Sequence, residues 1–246
     1  MAKTSMRTEI AAENGWIIPL ELRQQLLLAL QEDEAPPPKM SYEEFLAWAD
    51  ENAHAEWVDG KVILMSPASS IHQELVGFLY ELLRMFVRFR QLGRVYVAPF
   101  QMKLPQSSGR EPDLIFIKRE NLSRLKNTYL DGPADLVVEI ISPESIGRDR
   151  GDKFYEYEAG GVPEYWLLDP IRERAEFYQL DENGIYELVR LDDGIYRSQQ
   201  LPGFWLDPAW VWQDPLPSPL RTLAEIAGVD MSLVEAFEQA MGDVGA

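Results

Sequence analysis

Apolar residues along this chain keep three different rhythms, and each predicts a different element. From Ser69 to Arg90 the positions Leu75, Phe78, Leu79, Leu82, Leu83, Phe86 and Phe89 recur at three- and four-residue spacing. That spacing predicts a long amphipathic helix laid on a sheet and ended by Gly93. Leu114-Ile115-Phe116-Ile117 and Leu136-Val137-Val138-Glu139-Ile140-Ile141 are apolar without alternation, the pattern of strands covered on both faces. Near Ala175–Leu180, Ile185–Leu191 and Ile195–Ser198 the pattern alternates instead, with Asn183-Gly184 and Asp193-Gly194 between. These stretches predict an antiparallel extension.

Local signals supply the remaining elements. Leu22, Leu26, Leu27 and Leu30 form a stripe on a helix predicted over Leu20–Gln31, and Glu32–Lys39, with three consecutive prolines, reads as a linker. Ser41-Tyr42-Glu43-Glu44 matches a capping box opening a short helix. Ala55–Val58 and Val62–Met65 flank Asp59-Gly60, which supplies the positive φ angles of a two-residue hairpin turn. Arg94–Leu104, Pro112–Lys118 and Asp135–Ile141 read as strands, with a polar loop or small helix around Asn121–Asn127. Ser142-Pro143 closes the last of them. A helix over Asp149–Ala159 then stops at Gly160-Gly161, and Pro163–Leu168 returns as a strand parallel to its predecessor. Pro215–Met241 carries one or two amphipathic helices, and no internal repeat is visible. The predicted class is mixed α/β. Residues 1–40 form a helical extension and linker, 41–200 the main domain and 201–246 a helical tail.

Two acids interrupt the most apolar strands. Asp113 opens the first and Glu139 lies inside the second, and a carboxylate in such a place needs a cation beside it. Lys153 follows on the next predicted helix, so two acids and an ammonium suggest a divalent metal held against a phosphate. The absence of Cys excludes thiolate zinc and iron-sulfur sites, and two His, His54 and His72, leave little for imidazole ligation. Oxygen ligands favour Mg²⁺, Mn²⁺ or Ca²⁺. No apolar run has the roughly 20 residues of a spanning helix, and the polar start lacks the order of a signal peptide, so a cytoplasmic protein with no membrane partner is expected. The net charge of −18, from 41 acidic and 23 basic residues, opposes attraction to nucleic acid. Two local basic clusters, Arg84/Arg88/Arg90/Arg94 and Arg148/Arg150/Lys153, are either contact surfaces or solvated helix faces.

The motifs Glu111-Pro112-Asp113, Leu136–Pro143 with its Glu139, Arg148–Lys153 and Gly161–Pro170 resemble the signature of the Uma-two family of bacterial endonucleases. That family is a branch of the PD-(D/E)XK superfamily. Glu56-Trp57-Val58-Asp59-Gly60, Met65-Ser66-Pro67 and His72 match its amino-terminal block, and together the matches span about residues 41–190. The resemblance implies a restriction-endonuclease-like fold with a long helix on a mixed sheet, and hydrolysis of phosphodiester bonds in DNA. One position departs from the superfamily's plain pattern. Where it places a Lys two residues after the Glu, this chain has Ile141, and the resemblance implies that Lys153 takes over.

On this reading Asp113, Glu139 and Lys153 are catalytic, and Mg²⁺ or Mn²⁺ is held by Asp113, Glu139 and the Ile140 carbonyl, with waters completing an octahedron. Lys153 would touch the attacking water or a phosphate oxygen, or merely form an i to i+4 pair with Asp149. Asp149, Lys153 and Tyr157 share one helical face. His72 either contacts phosphate or a metal-bound water, or sits hydrogen-bonded at the core edge. Glu56 is a further metal-facing carboxylate or a solvent-facing strand residue. Tyr165 and Trp166 read as core. The competing function is a catalytically silent relative that binds nucleic acid or protein. Paired carboxylates also serve glycosidases, but no aromatic sugar cleft is visible. A homodimer is expected by analogy with enzymes that act on two strands.

Overall fold

The structure is a computed structural model describing residues 39–49, 55–65, 67–105, 108–143, 145 and 147–242. The expected helix over Leu20–Gln31 and the proline linker before Lys39 lie outside the described residues. Along the chain come α1 (Tyr42–Trp48), β1 (Ala55–Val58), β2 (Lys61–Leu64), α2 (Ser70–Arg90), β3 (Gly93–Val97), β4 (Gln101–Leu104), β5 (Ser108–Arg110) and β6 (Leu114–Lys118). They are followed by β7 (Tyr129–Asp131), β8 (Leu136–Ile140), α3 (Lys153–Gly160), β9 (Glu164–Asp169), β10 (Arg174–Leu180) and β11 (Tyr186–Leu188). β12 (Tyr196–Arg197), β13 (Trp205–Leu206), α4 (Pro219–Ala227) and α5 (Met231–Gly242) complete the order. No helix among the described residues is long and apolar enough to cross a membrane.

A six-stranded mixed sheet, ordered β11-β10-β9-β8-β6-β3, forms the centre of the fold. β8 pairs antiparallel with β6 and parallel with β9, as the helical crossover between β8 and β9 requires. The two non-alternating runs are buried on both faces for a visible reason. Leu114, Phe116, Leu136, Val138 and Ile140 pack under α2 with Leu79, Leu82 and Phe86. Their neighbours Ile115, Ile117, Val137 and Ile141 join a second core with Tyr157 and Tyr165. By strand periodicity Glu139 shares the face of Val137 and Ile141, toward α3. Leu201, Phe204, Leu206, Trp210, Leu223 and Ile226 belong to the same core as α2, which ties the carboxyl-terminal segment to the sheet.

A second, five-stranded sheet runs β2-β1-β5-β4-β7. Its hairpin turns at Asp59 (φ 49°) and Gly60 (φ 84°), the two positive values a primed turn needs. The expected single strand Arg94–Leu104 is in fact two. It breaks at Ala98-Pro99, where the proline offers no N–H to a ladder and the Ala98 N–H donates to the Asp113 carbonyl at 3.1 Å. β3 stays in the six-stranded sheet while β4 crosses into the other. The helix α2 also ends before Gly93, with Gln91 taking the left-handed cap (φ 56°). Gly93 already belongs to β3, where a Cβ would stand 1.9 Å from the Ile117 carbonyl oxygen.

Candidate active site

Asp113, one residue before β6, and Glu139, near the end of β8, reach the same cleft of about 370 Å³. His72, Glu111, Ile140, Ser145, Arg148, Asp149 and Lys153 also line it. Each element delivers its side chain for a local reason. Ser69 caps α2 by accepting the His72 N–H, which sets His72 on the first turn. There its Nε2 lies 3.1 Å from Asp113 Oδ2, the same oxygen that accepts the Ile140 N–H at 2.7 Å. Asp113 is thereby tied to the strand that carries Glu139.

Lys153 arrives through a distorted turn. Residues Arg148–Asp152 are π-helical, and the Lys153 N–H bonds the Arg148 carbonyl five residues back. Beyond it α3 is regular and ends at Gly161 in the left-handed region (φ 79°), the cap expected at Gly160-Gly161. The Lys153 ammonium is 2.8 Å from Glu139, 3.1 Å from Glu56 and 3.5 Å from Asp149, so three carboxylates surround it. Tyr157, one turn on, donates to Glu139 Oε1 at 2.7 Å. The i to i+4 pair with Asp149 and the convergence on Glu139 therefore coexist.

Glu56 is neither solvent-facing nor a wall of the cleft. It is fully buried beneath Lys153, and Arg110 holds its other oxygen at 2.8 Å while also gripping Glu156 at 2.6 and 2.8 Å. Sequence reasoning missed Arg110, because β5 has three residues and no apolar pattern to mark it. The arginines at the end of α2 face outward, Arg84 against the Tyr80 ring and Arg90 against Phe86. Arg150 is engaged with Glu176 and Asp169. Tyr165 and Trp166 are core residues, as expected.

Charge in this cluster is unbalanced. Burial pushes the Glu139 carboxyl up to about 8, the Asp149, Asp113 and Glu56 carboxylates add to the rise, and Lys153 opposes it. Burial and the neighbouring acids raise Asp149 too, again against Lys153. For Lys153 burial favours the neutral amine, but Glu139, Glu56 and Asp149 outweigh it and hold the ammonium charged. Glu56 runs the other way. Burial would raise it, yet Lys153 and Arg110 pull it below its ordinary value. His72 is raised, because the Asp113 hydrogen bond and charge overcome the effect of burial.

Asp113, Glu139 and Asp149 thus face one cleft, where the Lys153 ammonium pairs with Glu139 and Asp149 and His72 with Asp113. Asp113 Oδ1 and Glu139 Oε2 carry no hydrogen bond among the described residues, and Asp149 Oδ1 is buried without one. No three His, Cys, Asp or Glu side chains among the described residues are arranged to hold a metal ion by themselves. Hard oxygen donors, two of them open, and excess negative charge fit a Mg²⁺ or Mn²⁺ ion that keeps much of its water.

A profile of the Uma2 family, described as "Putative restriction endonuclease", matches residues 42–209. The chain belongs to the Uma2 family. Two uncharacterized Synechocystis proteins are similar to this Uma2 chain. One, sll1609, is 27% identical over 51% of this chain and 71% of its own length, and the other, slr1290, is 26% identical over 61% and 79%. A crystal structure described as "a putative nuclease belonging to DUF820", from Anabaena variabilis, superposes with a TM-score of 0.59. It is 16% identical, covering 70% of this chain and 97% of its own. The expected mixed-sheet, restriction-endonuclease-like fold of the Uma2 chain stands on these matches.

Proposed function

We propose that the cleft hydrolyses phosphodiester bonds of nucleic acid, DNA before RNA, with a divalent Mg²⁺ or Mn²⁺ held by Asp113, Glu139 and the Ile140 carbonyl. The observation that carries this reading is the convergence of Asp113 and Glu139 on one cleft, each with an oxygen free of hydrogen bonds among the described residues. The family description and the nuclease-like neighbour support it. Residues 41–200 constitute the nuclease domain on this reading, and it works in the cytoplasm, as a homodimer presenting two clefts to two strands.

When bound, the ion supplies Lewis-acid stabilisation of charge growing on the phosphoryl oxygens. The chain's own residues do the rest. Asp113 is oriented by the Ile140 N–H and His72, and Glu139 by Tyr157 and Lys153. Lys153 keeps a fixed positive charge at the floor of the cleft, while Glu56 and Asp149 hold its ammonium in place. His72 acts through Nε2, which meets Asp113, because its second ring nitrogen is buried and has no partner among the described residues.

Purified protein incubated with single-stranded, double-stranded and branched DNA, and with RNA, in Mn²⁺ tests the proposal. Cleavage is expected for wild type and not for Glu139→Ala; cleavage by both would place the reaction elsewhere. A second reading, a silent binding module, is favoured by the three carboxylates that crowd Lys153. Mn²⁺ calorimetry on wild type and Asp113→Ala separates the two, since only a metal-holding site loses binding on the substitution. Light scattering that finds monomer alone removes the dimer.

A further inference from the structure

A phosphodiester entering this cleft would meet Asp113, Glu111, Glu139 and Asp149, all acidic, so some cation must draw it in. Most nearby cations are already neutralised. Lys153 is held by Glu139, Glu56 and Asp149, Arg110 by Glu56 and Glu156, and Arg150 by Glu176 and Asp169. Arg148 differs. It lines the cleft half-buried, and its guanidinium makes no ion pair among the described residues. Its Nε is buried, with no acceptor among them. With Nε closed off, the rest of this half-buried guanidinium, at the wall of a polar cleft and without an ion pair among the described residues, is the charge left to take an anionic oxygen.

We propose that Arg148 is a substrate-binding residue of this cleft, its guanidinium taking a non-bridging oxygen of the phosphodiester that Asp113 and Glu139 face. The inference rests on the nuclease reading above and extends it to a residue outside the acid-lysine set. The position suits the role. Arg148 begins the π-helical turn whose far end delivers Lys153, so the backbone that places the ammonium also fixes the guanidinium. A planar fork matches two phosphate oxygens or one oxygen twice, which a point charge does not. The contact reads charge rather than bases, so it serves every sequence alike.

The test is salt-dependent DNA binding by the full chain, measured by fluorescence anisotropy in Ca²⁺ between about 50 and 200 mM salt, for wild type, Arg148→Gln and Arg148→Lys. Losing one phosphate contact is expected to flatten the slope of log K against log salt by about 0.9 on duplex or 0.7 on single-stranded DNA. The flattening should be equal on unrelated sequences, and Arg148→Lys should retain the wild-type slope. Thermal melting of Arg148→Gln should match wild type, since no ion pair is lost; if that variant does not fold, Arg148→Ala gives the same reading. Wild-type binding with an unchanged slope in the glutamine or alanine variant overturns the assignment of Arg148 and leaves the nuclease reading standing. No DNA binding by wild type, with or without metal, overturns both.

Discussion

Lys153→Met is the sharpest probe of the charge cluster. The wild-type ammonium lies 2.8, 3.1 and 3.5 Å from Glu139, Glu56 and Asp149, in a site where Lys153 is 1% exposed. Methionine fills nearly the same volume, so the perturbation is the loss of charge rather than a cavity. Removing one partner of a buried ion pair costs about 3–5 kcal/mol, because the acids left behind have neither water nor a cation. With each kcal/mol worth roughly 2–4 °C in a domain of this size, Tm should fall by about 6–20 °C near pH 8. The pH dependence is fixed in sign. Glu139 is raised to about 8, so its neutral form favours the fold below the ordinary carboxyl range, and that contribution is lost as pH rises through its folded value. Without Lys153 the acids rise further, so the deficit should be largest above about pH 8 and shrink toward pH 5. Calorimetric melting across that range, with Lys153→Met/Glu139→Gln as the paired variant, measures it. The paired variant should recover part of the loss. A Lys153→Met protein that melts within 2 °C of wild type at pH 8, or a paired variant no better than the single one, refutes the reasoning.

Glu56→Gln should show the opposite pH trend. The Glu56 carboxyl is depressed by Lys153 and Arg110, so its contribution is present above its ordinary value and lost as pH falls through the folded one; the gap in Tm to wild type should close on acidification. Tyr157→Phe removes the 2.7 Å bond to Glu139 and should cost about 1.5–3 kcal/mol in denaturant melts. Any nuclease activity should then fall in kcat with KM held. Gly109→Ala would set a Cβ 2.3 Å from Tyr42 Cε2, so a loss of about 1–3 kcal/mol is expected, relieved when Tyr42→Leu is added.

Much of this site could be read before any coordinates, because its acids interrupt strands apolar on both faces. An acid there has to be matched, and the regular spacing after Glu139 brought Lys153 and Tyr157 onto one helical side. Non-local partners were invisible. Arg110 and the strands β5 and β7 are three-residue pieces fixed only by pairing with distant segments, where local pattern carries no signal. Arg94–Leu104 reads as one strand because its apolar residues continue past Pro99, and only the second sheet explains the break. For Glu56, neither the solvent-facing nor the metal-facing alternative anticipated burial under the lysine. That position is set by Arg110, 54 residues away.

The widened turn at Arg148–Asp152 makes chain length, as well as residue type, a property of this site. Each residue of an α-helix advances the azimuth by about 100°, so deleting Gly151 would tighten the turn and bring Asp149 to three-residue spacing from the lysine. The arginine at its start would swing with it, away from Asp113 and Glu139. A homologue one residue shorter here must therefore find its ammonium at another point of the helix, and alignments that treat this segment as an ordinary loop will pair the wrong lysines.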